Sequence, residues 1–155
     1  MAAPVVDLLD ERHVVLQLRA RSLPAALQKI VSALAANGKI TDAPRFLEEL
    51  LAREQKNPSL VAYGTAFPHA RTELVNEIVL GIGRSQAGIP MADGQRAHLL
   101  FVIGVPQRLV NDYLICVGAL VRVIKGDKVR RALMRARTAA DFVDILRAAL
   151  AETTI

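Results

Sequence analysis

The stretch "EIVLGIGRSQAGIPMADGQRAHLLFVIGVP", residues 77–106, decides the fold class of this 155-residue chain. It contains two continuous apolar runs, "EIVLGIG" (77–83) and "AHLLFVIGV" (97–105). Such runs are typical of strands covered on both faces, because no alternate position is left polar for water. The residues between them, "AGIPMADGQ" (87–95), are rich in turn formers and predict a connection. The stretch therefore predicts two central strands of a sheet with helices on both sides.

Upstream of this stretch, the pattern predicts one short strand and two helices. The segment "HVVLQL" (13–18) is short and β-branched, as strands are. The first helix begins after Ser22, which caps it, and ends at "NGK" (37–39). The second begins after Asp42, whose carboxylate caps it, and ends near residues 53–54.

The remaining elements complete a mixed α/β pattern. The small-residue segment "VAYGTAF" (61–67) predicts a strand that ends at Pro68 and His69. Helical spacing downstream predicts three helices at about 111–124, 127–136 and 139–150. Strands and helices interleave without strict βαβ regularity. We therefore expect a mixed sheet of about five strands flanked by helices on both faces, in a single domain spanning residues 1–155.

The net charge of +5 does not by itself indicate nucleic-acid binding. Seven of the twenty Lys and Arg residues lie in one run, 121–137, and aromatic residues make up only 4% of the chain. Few aromatic side chains are therefore present on which bases could stack. The basic run predicts a solvated face or a docking surface for an acidic protein partner, and we expect no nucleic-acid partner.

Cysteine content and hydropathy exclude several other classes. The one cysteine, Cys116, allows no internal disulfide and no cysteine metal cluster, and its apolar helical setting predicts a small core residue. No apolar run reaches the roughly 20 residues of a membrane-spanning helix. The N-terminus carries acidic residues where a secretory signal has basic ones. We expect a cytoplasmic protein with no direct membrane insertion.

Familiar catalytic motifs are missing from the sequence. It has no "GxxxxGK[ST]", no "GxGxxG" opening a helix and no "GxSxG". Its three histidines, His13, His69 and His98, lack the paired spacing of a zinc site. His13 and His98 lie in strand-like apolar runs, which predicts partly buried residues with a hydrogen bond to the backbone.

His69 has a different setting, in "TAFPHAR" (65–71). It follows a proline among small residues that allow another molecule to come close. A neutral imidazole is a competent nucleophile. Arg53, sixteen residues earlier at a predicted helix end, has the geometry to hold phosphoryl oxygens. From spacing alone two interpretations stay open, an ordinary turn residue and a nucleophile presented at a strand end.

Two motifs resemble the enzyme IIA domain of the fructose/mannitol type, from the sugar phosphotransferase system and its nitrogen-regulatory relatives. In that family an arginine-glutamate pair ends a helix, and a glycine-rich loop leads to "A-I-P-H-[AG]". Here "LLARE" (50–54) and "GTAFPHAR" (64–71) keep both motifs at the family spacing. Residues 78–106 resemble the next two strands of the family, including a "DG" turn and a final proline. The C-terminal helices match in pattern only.

The resemblance implies a chemistry for His69. It would accept a phosphoryl group from the phosphohistidine of the histidine-containing phosphocarrier protein, while Arg53 stabilises the equatorial oxygens. The group would pass to an enzyme IIB domain, or remain as a regulatory mark read by a kinase or transporter. No metal, nucleotide or other cofactor is implied, because the donor is already an activated phosphoramidate.

The resemblance also suggests where phosphoryl oxygens are bound and where the chain departs from the family. Candidate ligands are Ser59 (in place of a family threonine), Thr65, Arg71 and Tyr113, of which Tyr113 stands where the family has a second histidine. In the loop before the motif, two family glycines are replaced by Leu60 and Ala62, and an asparagine by Tyr63.

Two hypotheses follow. The first is a stand-alone regulatory phosphoryl carrier, since no IIB or membrane domain is visible. The alternative is a phosphorylation-deficient module of the same fold that acts by protein docking. The sequence leaves the oligomeric state open.

Overall fold

The computed structural model describes residues 5–153, apart from the side chain of Thr153, and its five strands form one mixed sheet. The strands are β1 (Val14–Val15), β2 (Thr65–Ala66), β3 (His69–Arg71), β4 (Val79–Pro90) and β5 (Arg96–Val105). Their order is β1-β4-β5-β2, and β3 pairs with β5 on the same edge as β2. Only β4 and β5 are antiparallel, and the other pairs are parallel. The predicted mixed sheet of about five strands is confirmed.

Helices cover both faces of this sheet. They are α1 (Leu23–Ala36), α2 (Ala43–Lys56), α3 (Val110–Ile124), α4 (Asp127–Arg135) and α5 (Ala139–Thr153). Short 3₁₀ helices span Val5–Leu8, Glu11–His13 and Gln107–Leu109. α1 and α2 pack on one face and α3 and α5 on the other, which confirms the predicted layers. Within residues 5–153, no helix has the length and apolarity that crossing a membrane requires.

The continuous apolar runs are explained by these two layers. Along β5, Leu99, Phe101 and Ile103 belong to the core under α3 and α5. The alternate residues Leu100 and Val102 belong to the core under α1 and α2. Because successive side chains of a strand point to opposite faces, a strand between two helical layers is apolar at every position.

The glycines of "GIG" set the distance between α1 and the sheet. A Cβ atom on Gly81 would lie 2.6 Å from Ile30 Cγ2 of α1, and one on Gly83 would lie 2.7 Å from Ile30 Cδ1. These separations are well below the roughly 3.5–4.0 Å of carbon–carbon contact. Glycine at both positions therefore lets α1 pack directly on the backbone of β4.

The predicted helix starts are confirmed by their capping side chains. Ser22, Asp42 and Thr138 each accept the backbone N–H three residues later, at 3.3, 3.1 and 3.0 Å. Each cap satisfies one of the backbone donors that the first turn of a helix leaves unpaired. α2 and α5 continue to Lys56 and Thr153, a few residues beyond their predicted ends.

Two predicted strand boundaries were wrong. The connection predicted at 87–95 begins only at Met91, because β4 continues through a bulge between Arg84 and Ile89 to Pro90. A bulge adds residues to one strand without ending its pairing, so turn-forming residues can lie inside a strand. The strand predicted at 13–18 is limited to β1, since His13 closes a 3₁₀ helix.

Candidate functional site

Two short strands, β2 and β3, bring His69 to the edge of the sheet. Thr65 is aligned with Leu99 of β5, and His69 is aligned with Ile103 further along the same strand. Between them the carbonyl of Pro68 accepts the N–H of Ile103 at 2.9 Å. The strand predicted at 61–67 is therefore only two residues long, and His69 begins the next strand rather than ending one.

One ring nitrogen of His69 is held by the backbone. Nδ1 lies 3.3 Å from the carbonyl oxygen of Phe67, and the Phe67 ring is stacked on Phe101 with centroids 5.3 Å apart. A carbonyl only accepts hydrogen bonds, so Nδ1 carries the proton in this arrangement. The lone pair of the neutral ring is then on Nε2.

The surroundings of His69 keep the imidazole neutral. Burial lowers its pKa from the ordinary value of 6.5, and this is the largest effect. The hydrogen bond to Phe67 raises the pKa, Arg53 and Arg71 lower it, and Glu54 raises it. Because the net direction is downward, His69 is predominantly neutral at pH 7.

Two arginines lie near this ring on different elements. Arg53 is in the last turn of α2 and half-buried, and Arg71 is exposed on β3, two residues after His69. Their charges act on both His69 and Tyr113, and both side chains line one cleft between α2 and β3. None of the four ion pairs among residues 5–153 includes either arginine. Both guanidinium groups are therefore available to an anion.

Tyr113 of α3 is placed against the histidine. Its ring centroid is 4.9 Å from that of His69, with the two planes tilted by 34°. Burial raises the pKa of Tyr113 above 10, while Arg53 and Arg71 lower it. The hydroxyl is therefore protonated at pH 7 and has a hydrogen to donate beside His69.

Glu54 holds the loop that leads to the site, a role that the sequence analysis missed. Its buried carboxylate accepts the backbone N–H of Ser59 at 2.9 Å and also the Ser59 hydroxyl. The hydroxyl has one proton, and here it is donated to Glu54. Thr65 is buried, and its hydroxyl donates to the carbonyl of Tyr63 at 3.3 Å. Phosphate binding by Ser59 and Thr65 stays a prediction, since each hydroxyl has a protein acceptor in this structure.

The loop turns tightly at Tyr63 and Gly64. Ala62 and Thr65 exchange two backbone hydrogen bonds of 3.0 Å across this turn. Both central residues have positive φ, 57° for Tyr63 and 68° for Gly64. This backbone is unfavourable for a bulky residue, and Arg130 of α4 lies 5.0 Å over the Tyr63 ring. A cation over an aromatic face is attractive, which helps to hold the turn.

The turn between β4 and β5 fixes the start of the same loop. The Asp93 carboxylate accepts the backbone N–H of Val61 at 3.1 Å and that of Gln95 at 3.0 Å. These two hydrogen bonds lower the pKa of Asp93. The "DG" turn of the sequence therefore positions the loop before His69 as well as closing the hairpin.

The other singled-out residues lie in ordinary structural settings. His98 Nδ1 donates to the carbonyl of Ser85 at 3.0 Å, which confirms the predicted backbone partner. His13 is buried and its Nε2 lies 2.8 Å from the side-chain nitrogen of Asn37, and its predicted hydrogen bond to the backbone stays a prediction. Cys116 is buried, and burial raises the pKa of its thiol. The prediction of Cys116 as a core residue is confirmed.

A neutral histidine beside two unpaired arginines, on an α/β sandwich of this topology, is suited to carrying a phosphoryl group. Comparison with known proteins agrees with that class. The family model described as "Phosphoenolpyruvate-dependent sugar phosphotransferase system, EIIA 2" matches residues 7–149. This chain belongs to that family.

Relatives of known name include fructose-specific enzyme IIA proteins and a nitrogen regulatory protein. The "PTS system fructose-specific EIIA component" of Haloferax volcanii is 33% identical over 111 residues, covering 70% of this chain and 72% of that protein. The "Nitrogen regulatory protein" of Bradyrhizobium diazoefficiens is 26% identical over 145 residues, covering 92% of this chain and 94% of that protein. The "PTS system fructose-specific EIIABC component" of Bacillus subtilis is 27% identical over 144 residues. This chain spans only 23% of that longer protein, although 92% of the chain is matched.

Solved structures show the same fold. Nitrogen regulatory protein IIA-Ntr from Neisseria meningitidis superposes with a TM-score of 0.78 at 22% identity, covering 92% of this chain and 98% of that one. Enzyme IIA of the mannitol system of Escherichia coli, in complex with phosphorylated enzyme IIB, superposes with a TM-score of 0.76 at 16% identity. This match covers 90% of this chain and 97% of that one.

Proposed function

We propose that this chain is an enzyme IIA domain that carries a phosphoryl group and accepts it on Nε2 of His69. The observation that supports this most is the hydrogen bond between His69 Nδ1 and the carbonyl of Phe67. It fixes the proton on Nδ1, so the lone pair is on Nε2. Burial keeps the pKa of the ring low, so this nucleophilic form is the major one at pH 7.

The transfer is an in-line displacement between two imidazoles. The Nε2 lone pair of His69 forms a bond to phosphorus while the P–N bond to the donor histidine breaks, and that electron pair returns to the donor ring. Nδ1–H stays hydrogen-bonded to Phe67, which stabilises the charge that develops on the His69 ring. Arg53 and Arg71 hold the equatorial oxygens, and the Tyr113 hydroxyl donates to one of them. The donor is an activated phosphoramidate, so the transfer needs neither metal nor nucleotide.

The donor and acceptor are proposed from the family. We propose the histidine-containing phosphocarrier protein as donor. An enzyme IIB domain is one possible acceptor, since the mannitol enzyme IIA of E. coli is known in complex with phosphorylated IIB. A regulated kinase or transporter is the other, in keeping with the relative named as a nitrogen regulatory protein. We propose no nucleic-acid partner.

Phosphoryl transfer is tested by incubating the protein with phosphoenolpyruvate, enzyme I and the phosphocarrier protein, and measuring intact mass. We expect one added phosphoryl group that is labile to acid. His69→Gln removes the nucleophile and should abolish the addition, whereas the matched variant His98→Gln should retain it. Addition to His69→Gln would show that another residue carries the group.

A docking module without phosphorylation is the second candidate. Beside Tyr113, the large apolar side chains of Leu114 and Ile115 on α3 are 59% and 64% exposed, and Leu60 of the loop is 74% exposed. Exposed apolar residues near a site favour protein contact. This candidate acts by docking to a kinase, transporter or other regulator, and it predicts that the protein remains unmodified under conditions that label a known relative completely.

A further inference from the structure

A second cationic cleft lies away from His69. It is lined by residues 16–21 and 84–87 and has a volume of about 650 Å³. Its lining contains three arginines, Arg19, Arg21 and Arg84, and no carboxylate. Ile103 of β5 is aligned with His69 of β3 on one side and with Leu80 of β4 on the other, so His69 and Leu80 lie at the same height in the sheet. Arg84 is four residues further along, roughly 13 Å at the usual rise of a strand, so this cleft is separate from the site described above.

Arg84 is buried in an unusual way. Its exposed fraction is 6%, and its guanidinium is hydrogen-bonded only to carbonyl oxygens. Nε donates to Leu16 at 3.1 Å, and Nη1 donates to Leu133 at 3.0 Å and Ala136 at 2.5 Å. These three bonds fix the plane of the group between β1, β4 and the end of α4. The guanidinium stays charged, and no carboxylate forms an ion pair with it among residues 5–153.

One edge of this guanidinium is open to the cleft. Nη2 makes no hydrogen bond within the described part of the chain. In that part, the side-chain nitrogen and oxygen atoms that are both fully buried and without a hydrogen-bond partner belong to His13 and Glu49, so Nη2 is not fully buried. Nη2 is therefore reached by solvent, and the cleft is the cavity that Arg84 lines. A guanidinium that is fixed in place, lines a cleft and has one nitrogen without a partner is a preorganised hydrogen-bond donor for an anion.

The rim of the cleft adds further positive charge. Arg19 and Arg21 are exposed, and neither belongs to any of the four ion pairs found in residues 5–153. The Lys29 ammonium donates to the carbonyl of Arg19, which ties this segment to α1. The volume is within the range of small-molecule sites, roughly 300–1,000 Å³.

We propose that this cleft binds a small anion bearing a phosphate or pyrophosphate group, with Arg84 as the fixed donor and Arg19 and Arg21 closing on the outer oxygens. The exposed guanidinium groups of Arg19 and Arg21 can each bind two phosphate oxygens, while Arg84 offers the N–H groups of Nη2. Three positive charges in a lining without a carboxylate suit an anion of this kind.

The test is calorimetric titration of the unphosphorylated protein with pyrophosphate, and separately with inorganic phosphate, at low and at physiological salt. The double variant Arg19→Ala/Arg21→Ala should bind pyrophosphate at least about tenfold more weakly than the wild type, as expected when charged hydrogen bonds are lost. Its matched control is Arg122→Ala/Lys125→Ala, which removes the same charge from two exposed residues outside the cleft. The control should bind within about twofold of the wild type, since distant surface charges are screened.

Two further readouts locate the site. Amide resonances of residues 16–21 and 84–87 should shift on titration, and these shifts should persist in Arg53→Ala, which removes one of the two anion-binding arginines near His69. Arg84→Lys keeps the charge but loses the Nη2 group and the three carbonyl bonds that hold it in place, so if folded it should also bind more weakly. If Arg84→Lys does not fold, the comparison of Arg19→Ala/Arg21→Ala with its control double variant still tests the proposal. Equal weakening in both double variants, or no saturable binding in the millimolar range, would overturn the proposal.

Discussion

Replacing Tyr113 with glutamate puts a negative charge beside His69 and should raise the pKa of that histidine. The two ring centroids are 4.9 Å apart, and a glutamate carboxylate extends about as far from the backbone as the centre of a tyrosine ring. At that distance a carboxylate and an imidazolium attract by about 3.4 kcal/mol at an effective dielectric constant of 20, and by about 0.8 kcal/mol at 80. Proton affinity of His69 should therefore increase by about fourfold to three-hundredfold.

The assay is an NMR titration of the His69 ring in Tyr113→Glu and in the uncharged control Tyr113→Gln. Because a protonated imidazole has no free lone pair, the rate of phosphoryl acceptance near pH 7 should fall in Tyr113→Glu and recover as the pH is raised. Tyr113→Gln should not raise the pKa of His69, and any slowing caused by loss of the Tyr113 hydroxyl should not be recovered as the pH is raised. If His69 titrates identically in the two variants, the side chain at position 113 does not lie beside His69 and the reasoning fails.

Three other predictions concern packing, pH and the loop. Gly83→Ala places a Cβ 2.6 Å from Leu18 Cδ2 and 2.7 Å from Ile30 Cδ1, so the free energy of unfolding in urea should fall by about 1–3 kcal/mol. The helical control Gly118→Ala meets no atom nearer than 3.7 Å and should gain about 0.5–1 kcal/mol. Burial lowers the pKa of His13 and His69 in the native state. Because both histidines then bind protons more readily in the unfolded chain than in the folded one, the free energy of unfolding should fall as the pH drops below about 6.5. The dependence of the free energy of unfolding on pH should be weaker in His69→Gln, and a free energy of unfolding that does not change with pH in the wild type would contradict this prediction. Ser59→Ala removes the hydroxyl donor to Glu54 and should cost about 1.5–3 kcal/mol in thermal unfolding, while slowing phosphoryl acceptance less than Arg53→Ala does.

The central part of the fold was predictable because its sequence signals are local and strong. A strand buried on both faces has no polar alternate positions, so the run at 97–105 predicted β5 to within one residue. Helix starts were predictable because capping requires a short polar side chain at one position, as at Ser22 and Asp42.

The parts that failed depend on contacts between distant segments. β2 and β3 are two and three residues long and exist only as partners of β5, so periodicity within them carries little information. The extension of β4 to Pro90 depends on a bulge whose register is set by β5. Tyr63 has a backbone conformation that its residue type does not predict.

The candidate site shows the same division. His69 and Arg53 were predicted from motif and spacing, and in the structure the charges of Arg53 and Arg71 act on both His69 and Tyr113. The partner of His69 Nδ1 is a backbone carbonyl, which leaves no signature in a sequence. Glu54 had a weak signal, an acid directly after Arg53 at a helix end, but its partner Ser59 is defined only by the path of the loop.

The central claim is that Nε2 of His69 carries the phosphoryl group while Nδ1–H is held by Phe67. It is tested most directly by ¹⁵N NMR of the histidine rings after phosphorylation by the phosphocarrier protein. Only the His69 ring should change, with phosphorus bonded to Nε2 and hydrogen retained on Nδ1. Phosphorus on Nδ1, or on His13 or His98, would contradict the account.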